Sequence, residues 1–237
     1  MATPEIKESF VAFNHFLEQW LAGLPSPTLQ EIAEMPEHVA IVSVDVINGF
    51  CYEGPLASPR VAGIVQPIRR LLLSAWDIGL HKIVFTQDTH DPAAIEFGQF
   101  APHCIRGTSE SQTVPEFTSL PFFNQIEVMP KNSISSMEQT ALPPWIASHP
   151  EADTFIVVGD CTDLCVYQLA MSLRVQANAR QMQRRVIVPV DCVDTYDLSV
   201  EDAARLGAMP HPAEVLHPLF LYHMALNGIE IVQTIQA

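Results

Sequence analysis

The stretch Phe155-Ile-Val-Val-Gly-Asp-Cys-Thr-Asp-Leu-Cys-Val-Tyr167 decides the fold. It begins as an apolar run of the kind found in buried strands, breaks at Gly159, and continues with residues that predict a helix. Cys165 lies in the first turn of that helix, where unpaired backbone N–H groups and the helix dipole lower the pKa of a thiol. The same N–H groups can hold an oxyanion. We therefore interpret Cys165 as a candidate nucleophile; the alternative is a buried cysteine that packs as a small hydrophobe.

Composition indicates a globular chain. Of its 237 residues, 48% are hydrophobic, and no apolar run is long enough to span a bilayer. The first ten residues lack the basic and apolar regions of a secretory signal, so we expect a cytoplasmic protein. Five widely scattered cysteines favour reduced thiols over a disulfide framework. The net charge of -15 argues against binding nucleic acid or an anionic membrane through a basic face.

Strand and helix patterns alternate along the chain. Predicted strands cover residues 39–45, 81–87, 125–129, 154–158, 185–190 and 229–234. Predicted helices cover residues 59–79, 137–147, 163–179 and 213–226. This alternation predicts an α/β fold with a mostly parallel sheet and helices on both faces. Apolar residues at helical spacing over 4–24 add a further helix, so we predict an N-terminal helical extension over 1–38 and one α/β domain over 39–237.

Three chemically capable residues end or directly follow different predicted strands. Asp45, Lys131 and Cys165 would therefore meet at the carboxyl edge of a parallel sheet, where ligands usually bind. A cysteine hydrolase needs a base to take the thiol proton and a cation to stabilise negative charge, and a carboxylate and an ammonium supply these roles. Each residue also has a structural alternative, since Asp45 could cap a turn and Lys131 could be a solvated surface residue.

Residues 88–124 form a long segment with little periodicity, and such segments are more often functional than idle. The segment carries Asp88, His90, Glu96 and His103. Together they could provide a nitrogen and oxygen ligand set suited to Zn, Mn or Fe. The alternative is that the histidines are solvated or hydrogen-bonded within the loop.

Five separate motifs now carry a resemblance to a known family. They are Val44-Asp-Val-Ile-Asn-Gly-Phe50, Thr86-Gln-Asp-Thr-His90, Pro102-His-Cys-Ile-Arg-Gly-Thr108, Lys131 and Gly159-Asp-Cys-Thr-Asp-Leu-Cys-Val166. In this order they closely resemble the isochorismatase-like cysteine hydrolases, and within them the nicotinamidases. The match spans about residues 39 to 200, and the Asp-x-His and His-Cys-x-x-Gly-Thr motifs point to the metal-containing nicotinamidase branch.

The resemblance implies a role for each residue at the sheet edge. Cys165 would be the nucleophile, Asp45 the base that takes its proton, and Lys131 the third member of the triad. The backbone N–H groups of Cys161 and Cys165 would form the oxyanion hole, which the family creates with a cis peptide bond, here between Asp160 and Cys161.

The resemblance also implies one divalent metal ion, Zn or else Mn or Fe, that would coordinate the pyridine nitrogen of the substrate. Its ligands would be Asp88, His90, Glu96 and His103. The rings of Phe50 and Phe100 would sandwich the substrate ring, consistent with offset stacking.

Some positions depart from the family pattern. Ile47 and Gly49 stand where the family commonly has Gln and Asp, and Asp160 with Cys161 replaces a more usual apolar pair. A carboxylate at Asp160 would oppose thiolate formation unless it points away or is paired. Residues 178–185 replace a shorter, glycine-containing turn. His211, His217 and His223 recur every six residues, and we interpret them as surface or locally hydrogen-bonded histidines.

The sequence therefore predicts a metal-dependent cysteine amidohydrolase, most simply a nicotinamidase that hydrolyses nicotinamide to nicotinate and ammonia. One alternative is a related hydrolase of another small amide or ureide. The other is a catalytically silent metal- or ligand-binding protein on the same fold. We expect a small-molecule amide substrate, no nucleic-acid or membrane partner, and a homo-oligomer.

Overall fold

A computed structural model describes residues 4–236 of the protein, which form an α/β fold. Its α-helices are α1 (Pro4–Ala22), α2 (Leu29–Ile32), α3 (Asn48–Cys51), α4 (Pro59–Asp77), α5 (Pro115–Thr118), α6 (Leu142–Ser148), α7 (Cys165–Ala179), α8 (Val200–Leu206) and α9 (Ala213–Leu226). Short 3-10 turns lie at Pro36–His38, Ile95–Gly98, Ser109–Ser111, Phe123–Gln125 and Val190–Cys192. No helix in the described range is long and apolar enough to cross a membrane.

The strands form a parallel sheet at the centre of the molecule. They are β1 (Val39–Val44), β2 (Ile83–Asp88), β3 (Glu127–Lys131), β4 (Thr154–Asp160), β5 (Arg185–Pro189), β6 (Val193–Asp194) and β7 (Glu230–Val232). The sheet order is β3-β2-β1-β4-β5-β7, with β6 paired to β4, and every strand pairing is parallel. This confirms the predicted fold class, because helices cross over between the parallel strands.

Helices cover both faces of the sheet because successive strand residues point to opposite sides. In β1, Val39 and Ile41 pack in one core together with α4, whereas Ala40 and Val42 pack in a second core together with α7 and α9. A strand buried on both faces reads as a continuous apolar run, which is how β1 and β4 could be recognised in the sequence.

The N-terminal helix α1 lies against the last helix, α9. Tyr222 of α9 makes edge-on ring contacts with Phe13, Phe16 and Trp20, at centroid distances of 5.3, 5.6 and 5.5 Å. The connector that follows is tied to the C-terminal segment, since the N–H of Leu29 donates to the carbonyl of Gln236 at 2.7 Å. The predicted helix over 4–24 is therefore confirmed, and it packs on its own chain.

Element boundaries differ from the sequence predictions by a few residues. The largest difference is at α6, which begins at Leu142 instead of near Met137, because residues 132–141 form turns. Lys131 is the last residue of β3 and does not follow it. The segment from 89 to 126 contains no strand and only short helical turns, as its lack of periodicity predicted.

Candidate active site

Four functional side chains meet at the carboxyl edge of the sheet. Asp45 directly follows β1, Asp88 ends β2, Lys131 ends β3, and Cys165 begins α7 after β4. These four strands are neighbours in the order β3-β2-β1-β4, so residues far apart in sequence become adjacent. All four side chains are buried. The predicted convergence of Asp45, Lys131 and Cys165 is therefore observed, with Asp88 as a fourth member.

The Lys131 ammonium is the centre of this cluster. Its Nζ lies 2.8 Å from Oδ2 of Asp45 and 2.5 Å from Oδ1 of Asp88. It also donates to the Ser133 carbonyl at 3.1 Å and lies 3.6 Å from Sγ of Cys165. Asp45 is fixed from its other side, because its Oδ1 accepts the backbone N–H of Asp88 at 2.7 Å. One cation thus touches both carboxylates and the thiol.

Burial and charge set the protonation of these groups. Burial, and then repulsion from Asp88, raise the pKa of Asp45 to about 7, even though Lys131 opposes the shift. Burial disfavours the charged form of Lys131, but the two carboxylates outweigh it and hold the pKa of the ammonium well above its usual range. Burial raises the pKa of the Cys165 thiol, and Lys131 opposes that rise. The cysteine is therefore a thiol at rest beside a carboxylate able to take its proton.

Three of the predicted metal ligands form a compact cluster next to the triad. Candidate ligand atoms of Asp88, His90 and His103 all lie within 4.8 Å of one another. Oδ2 of Asp88 is 3.5 Å from Nε2 of His90 and 3.9 Å from Nε2 of His103. Asp88 therefore faces Lys131 with one carboxylate oxygen and the two histidines with the other.

The donor atoms fit a divalent metal ion. Nδ1 of His90 lies 3.3 Å from Oδ1 of Asn132, and Nδ1 of His103 lies 2.8 Å from the carbonyl of Ala101. Hydrogen bonds from Nδ1 leave Nε2 of each ring as the metal-binding atom, the arrangement usual in protein metal sites. Nε2 of His90 is moreover buried without a hydrogen-bond partner among the described residues. An unpaired buried nitrogen is costly unless a ligand satisfies it.

Glu96 lies beside this cluster but outside it. Among the described residues, two compact groups of candidate ligands occur, Asp88 with His90 and His103 and Asp88 with Asp45 and Cys165, and Glu96 belongs to neither. Oε2 of Glu96 instead accepts the backbone N–H of Ile134 at 3.3 Å. Its role as a fourth ligand stays a prediction.

The backbone before the nucleophile has the geometry that the sequence predicted. The peptide bond between Asp160 and Cys161 is cis. Among the described residues, the N–H groups of Cys161 and Cys165 have no backbone acceptor, so both are available to an oxyanion. Gly159 is required just before this bond, because its φ is 119° and a Cβ there would come within 1.9 Å of the Val44 carbonyl oxygen.

Burial disfavours a negative charge on Asp160, which stands five residues before Cys165. The residue is 1% exposed, and its Oδ1 has no hydrogen-bond partner among the described residues. Burial raises the pKa of Asp160 well above its usual range, which disfavours the charged form of this carboxyl group. This shift weakens the conflict with thiolate formation that the sequence raised.

A small pocket opens onto Cys165. Phe50, Phe100, Glu96, His103 and Cys161 all line it. The substrate-binding, metal-binding and oxyanion roles of these residues stay predictions. Sequence reasoning missed four further wall residues, which are Leu56, Ile134, Leu164 and Tyr196. Leu56, Ile134 and Tyr196 lie outside the motifs quoted above, whereas Leu164 lies within the Gly159–Val166 motif without an assigned role. The pocket is mostly apolar, with its polar groups gathered at the triad and the metal cluster.

A buried ion pair holds residues 161–164 in place, which we call the nucleophile turn because they precede Cys165, the proposed nucleophile. Nε2 of His211 lies 2.7 Å from Oδ2 of Asp163, which stands two residues before Cys165. The other ring nitrogen lies 2.8 Å from the carbonyl of Tyr196, and the two rings stack at a centroid distance of 3.9 Å. His211 thereby joins the nucleophile turn to a wall of the pocket. Of the two alternatives given for this residue, a surface position and a hydrogen-bonded one, the first is wrong, because His211 is 8% exposed, and its hydrogen bonds join residues distant in sequence.

The other two histidines of that series have separate roles. Nδ1 of His217 lies 2.8 Å from Oγ1 of Thr162, which attaches the nucleophile turn to α9 in addition to the contact with His211, two residues before that helix. His223 is exposed and lies 3.0 Å from the hydroxyl of Tyr167. Only His223 fits a surface position. The six-residue spacing could not identify these contacts, because they depend on where α9 packs.

Comparison with known proteins agrees with this geometry. A family model described as "Isochorismatase domain" matches residues 39–217. Nicotinamidase 1 of Arabidopsis thaliana is 30% identical over 214 residues, which cover 83% of this chain and 86% of that protein. The family model spans strands β1 to β6 and every predicted site residue.

Solved structures share the fold at lower identity. The pyrazinamidase of Pyrococcus horikoshii, solved in complex with zinc, has a TM-score of 0.62 and 22% identity, covering 83% of this chain and 99% of that one. The N-carbamoylsarcosine amidase of Thermoplasma acidophilum has a TM-score of 0.61 and 23% identity, covering 82% of this chain and 95% of that one. The family model matches most of the chain, and the plant relative is 30% identical over 83% of it. The chain therefore belongs to the isochorismatase domain family.

Proposed function

We propose that this protein is a metal-dependent nicotinamidase, which hydrolyses nicotinamide to nicotinate and ammonia through a Cys165 thioester. The observation that carries the proposal is the contact of one ammonium, that of Lys131, with Asp45, Asp88 and Cys165, directly beside two histidines. The identity to a plant nicotinamidase supports the same activity.

In the acylation half-reaction, Asp45 takes the thiol proton of Cys165. Its pKa of about 7 suits a base that works near neutrality. The sulfur attacks the amide carbonyl carbon. The resulting oxyanion accepts hydrogen bonds from the backbone N–H groups of Cys161 and Cys165. Asp45 then returns the proton to the leaving nitrogen, ammonia departs, and an acyl thioester remains on Cys165.

In the deacylation half-reaction, Asp45 takes a proton from water, which attacks the thioester carbonyl. The oxyanion forms at the same two N–H groups, and its collapse releases the carboxylic acid and the Cys165 sulfur, which regains the proton. Lys131 stabilises negative charge on Asp45 and on sulfur throughout, because it lies within 3.6 Å of both.

The metal cluster and the aromatic walls would select the substrate. A divalent ion held by Asp88, His90 and His103 would act as a Lewis acid that binds a ring nitrogen and so orients the substrate. Phe50 and Phe100 line the same pocket and offer ring faces to a flat heterocycle. We propose Zn as the ion, with Mn or Fe as alternatives.

Hydrolysis of another small amide or ureide is the second candidate. It is favoured by the fold shared with an N-carbamoylsarcosine amidase, whose name does not imply a pyridine substrate. A catalytically silent ligand-binding protein is less consistent with a complete and buried triad.

A panel of small amides tests the proposal. We expect ammonia release from nicotinamide by the wild-type protein and none above background from Cys165→Ala. Cys192→Ala is the matched control, since Cys192 is buried outside this pocket and its loss should leave the rate within about twofold of wild type. Turnover of another amide with nicotinamide untouched would favour the second candidate, and equal rates in wild type and Cys165→Ala would exclude this nucleophile.

Three further expectations remain predictions. We propose that residues 39–237 form the hydrolase domain, that residues 1–38 are an extension of it, and that the protein is a cytoplasmic homo-oligomer. Light scattering on the purified full chain tests the oligomeric state.

A further inference from the structure

A second pocket lies at the opposite end of α7 from Cys165. Its polar wall consists of Gln176, Arg180, Arg184 and His149, and its apolar wall includes Ile146 and Met182. The volume is about 330 Å³, enough for a small organic molecule. Since α7 has 15 residues, its two ends are about 20 Å apart, and the pocket is separate from the site at Cys165.

The charge of this pocket is opposite to that of the chain. The protein has 27 acidic and 12 basic residues, yet none of the described residues that line the pocket is acidic. Four of the 12 basic residues are Arg174, Arg180, Arg184 and Arg185. Of these, only Arg185 pairs with a carboxylate, that of Glu230, within the described part of the chain. The other three guanidinium groups have no countercharge there.

Arg184 is the buried member of this group. It is 6% exposed, and its guanidinium lies over the Phe155 ring at 5.0 Å. Its Nη1 donates to Oε1 of Gln176 at 2.9 Å and to the carbonyl of Leu173 at 3.4 Å. Its Nε is buried without a hydrogen-bond partner among the described residues. A buried guanidinium without a carboxylate partner is costly, and an anion in the pocket would supply the countercharge that Arg184 lacks.

The neighbouring arginines make the missing countercharge more costly. Burial, then Arg180 and Arg174, lower the pKa of Arg184, so the three like charges repel one another. Arg180 is exposed at the rim and has no ion pair with any described carboxylate. One anion between Arg180 and Arg184 would relieve this repulsion and accept hydrogen bonds from both planar groups.

We propose that the pocket bounded by Arg180 and Arg184 binds a small organic carboxylate. The carboxylate group would lie between the two guanidinium groups. Its apolar body would pack against Ile146 and Met182, which offer no hydrogen-bond donors. The apolar wall favours an organic anion over free inorganic phosphate, since a hydrated phosphate gains nothing from that contact.

Calorimetric titration of the full-length protein with benzoate tests this site. Benzyl alcohol is the neutral probe of similar shape, and inorganic phosphate is the probe without an apolar body. Arg180→Gln removes the rim charge at an exposed position, so it should not affect folding. Ala147→Phe would fill the pocket from the exposed side of α6 without changing charge. Arg205→Gln is the control, with the same change of charge on the exposed helix α8.

We expect benzoate binding that Arg180→Gln and Ala147→Phe each weaken by about tenfold and that Arg205→Gln leaves unchanged. We expect no comparable binding of benzyl alcohol. Arg184→Gln should abolish benzoate binding if this variant folds. If it does not fold, the benzoate affinity of Arg180→Gln tests the proposal. Three results would each overturn the proposal: no benzoate binding, benzoate affinities equal in wild type and both pocket variants, or phosphate bound in this pocket as tightly as benzoate.

Discussion

Nζ of Lys131 lies 2.5 Å from Oδ1 of Asp88, whose other carboxylate oxygen faces His90 and His103. Asp88 is thus shared between the triad and the metal cluster. Attraction to Lys131, together with His90, outweighs burial and lowers the pKa of Asp88, so it is a carboxylate at neutral pH. Its charge also raises the pKa of Asp45. A metal ion held by Asp88 would therefore be coupled to the protonation of the proposed base through one side chain.

Because Asp88 contacts both Lys131 and the histidines, variants of Asp88 and His103 should respond differently when metal is added back. We expect His103→Ala to lower metal affinity by at least about tenfold and to recover activity when excess Zn is added. Asp88→Asn should lose metal as well, but excess Zn should not restore its rate, since Lys131 has lost one of its two carboxylate partners. Metal content by atomic emission and ammonia release measure the two effects. Full recovery of Asp88→Asn would show that Asp88 serves the metal alone.

Replacement of the proposed base should separate chemistry from metal binding. Asp45→Asn should lower kcat/KM for nicotinamide by about 10²–10⁴-fold, because general base catalysis is lost. Metal content should stay near that of wild type, since Asp45 is not part of the histidine cluster. The variant should also lose reactivity of Cys165 toward iodoacetamide. An Asp45→Asn protein with wild-type kcat/KM would contradict the assignment.

The ion pair of His211 with Asp163 predicts a pH-dependent contribution to stability. Burial alone would lower the pKa of His211, but the Asp163 carboxylate outweighs it and the net shift is upward from 6.5. Burial likewise opposes the charge of Asp163, yet His211 and Thr195 lower the pKa of that group below 3.8. The contribution of His211 to the free energy of unfolding is thus complete below pH 6.5, and it is lost as the pH rises through the raised pKa of His211. That of Asp163 is lost only in strong acid.

We therefore expect His211→Gln to lower the free energy of unfolding by about 2 kcal/mol at pH 6, and by less above the raised pKa. Urea titrations at several pH values measure the difference. His223→Gln, at an exposed histidine, is the control and should show no such trend. A loss in His211→Gln that is the same from pH 6 to pH 9 would argue against an ionised pair.

Substitution by alanine should change the stability of the protein in opposite directions at two glycines. Gly159→Ala requires a side chain at φ 119° and a Cβ within 1.9 Å of the Val44 carbonyl oxygen, so we expect a loss of at least about 3 kcal/mol in unfolding free energy or failure to fold. Gly63 lies inside α4, and no atom lies within 4 Å of the place that an alanine Cβ would occupy, so Gly63→Ala should stabilise the protein by about 0.5–1 kcal/mol. Thermal unfolding of both variants provides the comparison. A Gly159→Ala variant as stable as wild type would mean that the strand end can move away from β1.

The candidate site divides into residues that the sequence could find and residues that it could not. Asp45, Lys131 and Cys165 could be found because each ends or follows a different predicted strand, and parallel strands bring their carboxyl ends together. His90 and His103 could be found because they lie in a proline-rich segment without periodicity. The cis bond before Cys161 followed only from the family resemblance.

Apolar periodicity and strand-end chemistry in the sequence therefore determined the fold class, the sheet edge and the triad. Only the tertiary structure decided the raised pKa of Asp160, the pairing of His211 with Asp163, and the arginine pocket at the far end of α7. Each of these depends on burial and on which distant charges become neighbours. Local spacing does not record either quantity, because both arise when α7 and α9 pack against the sheet.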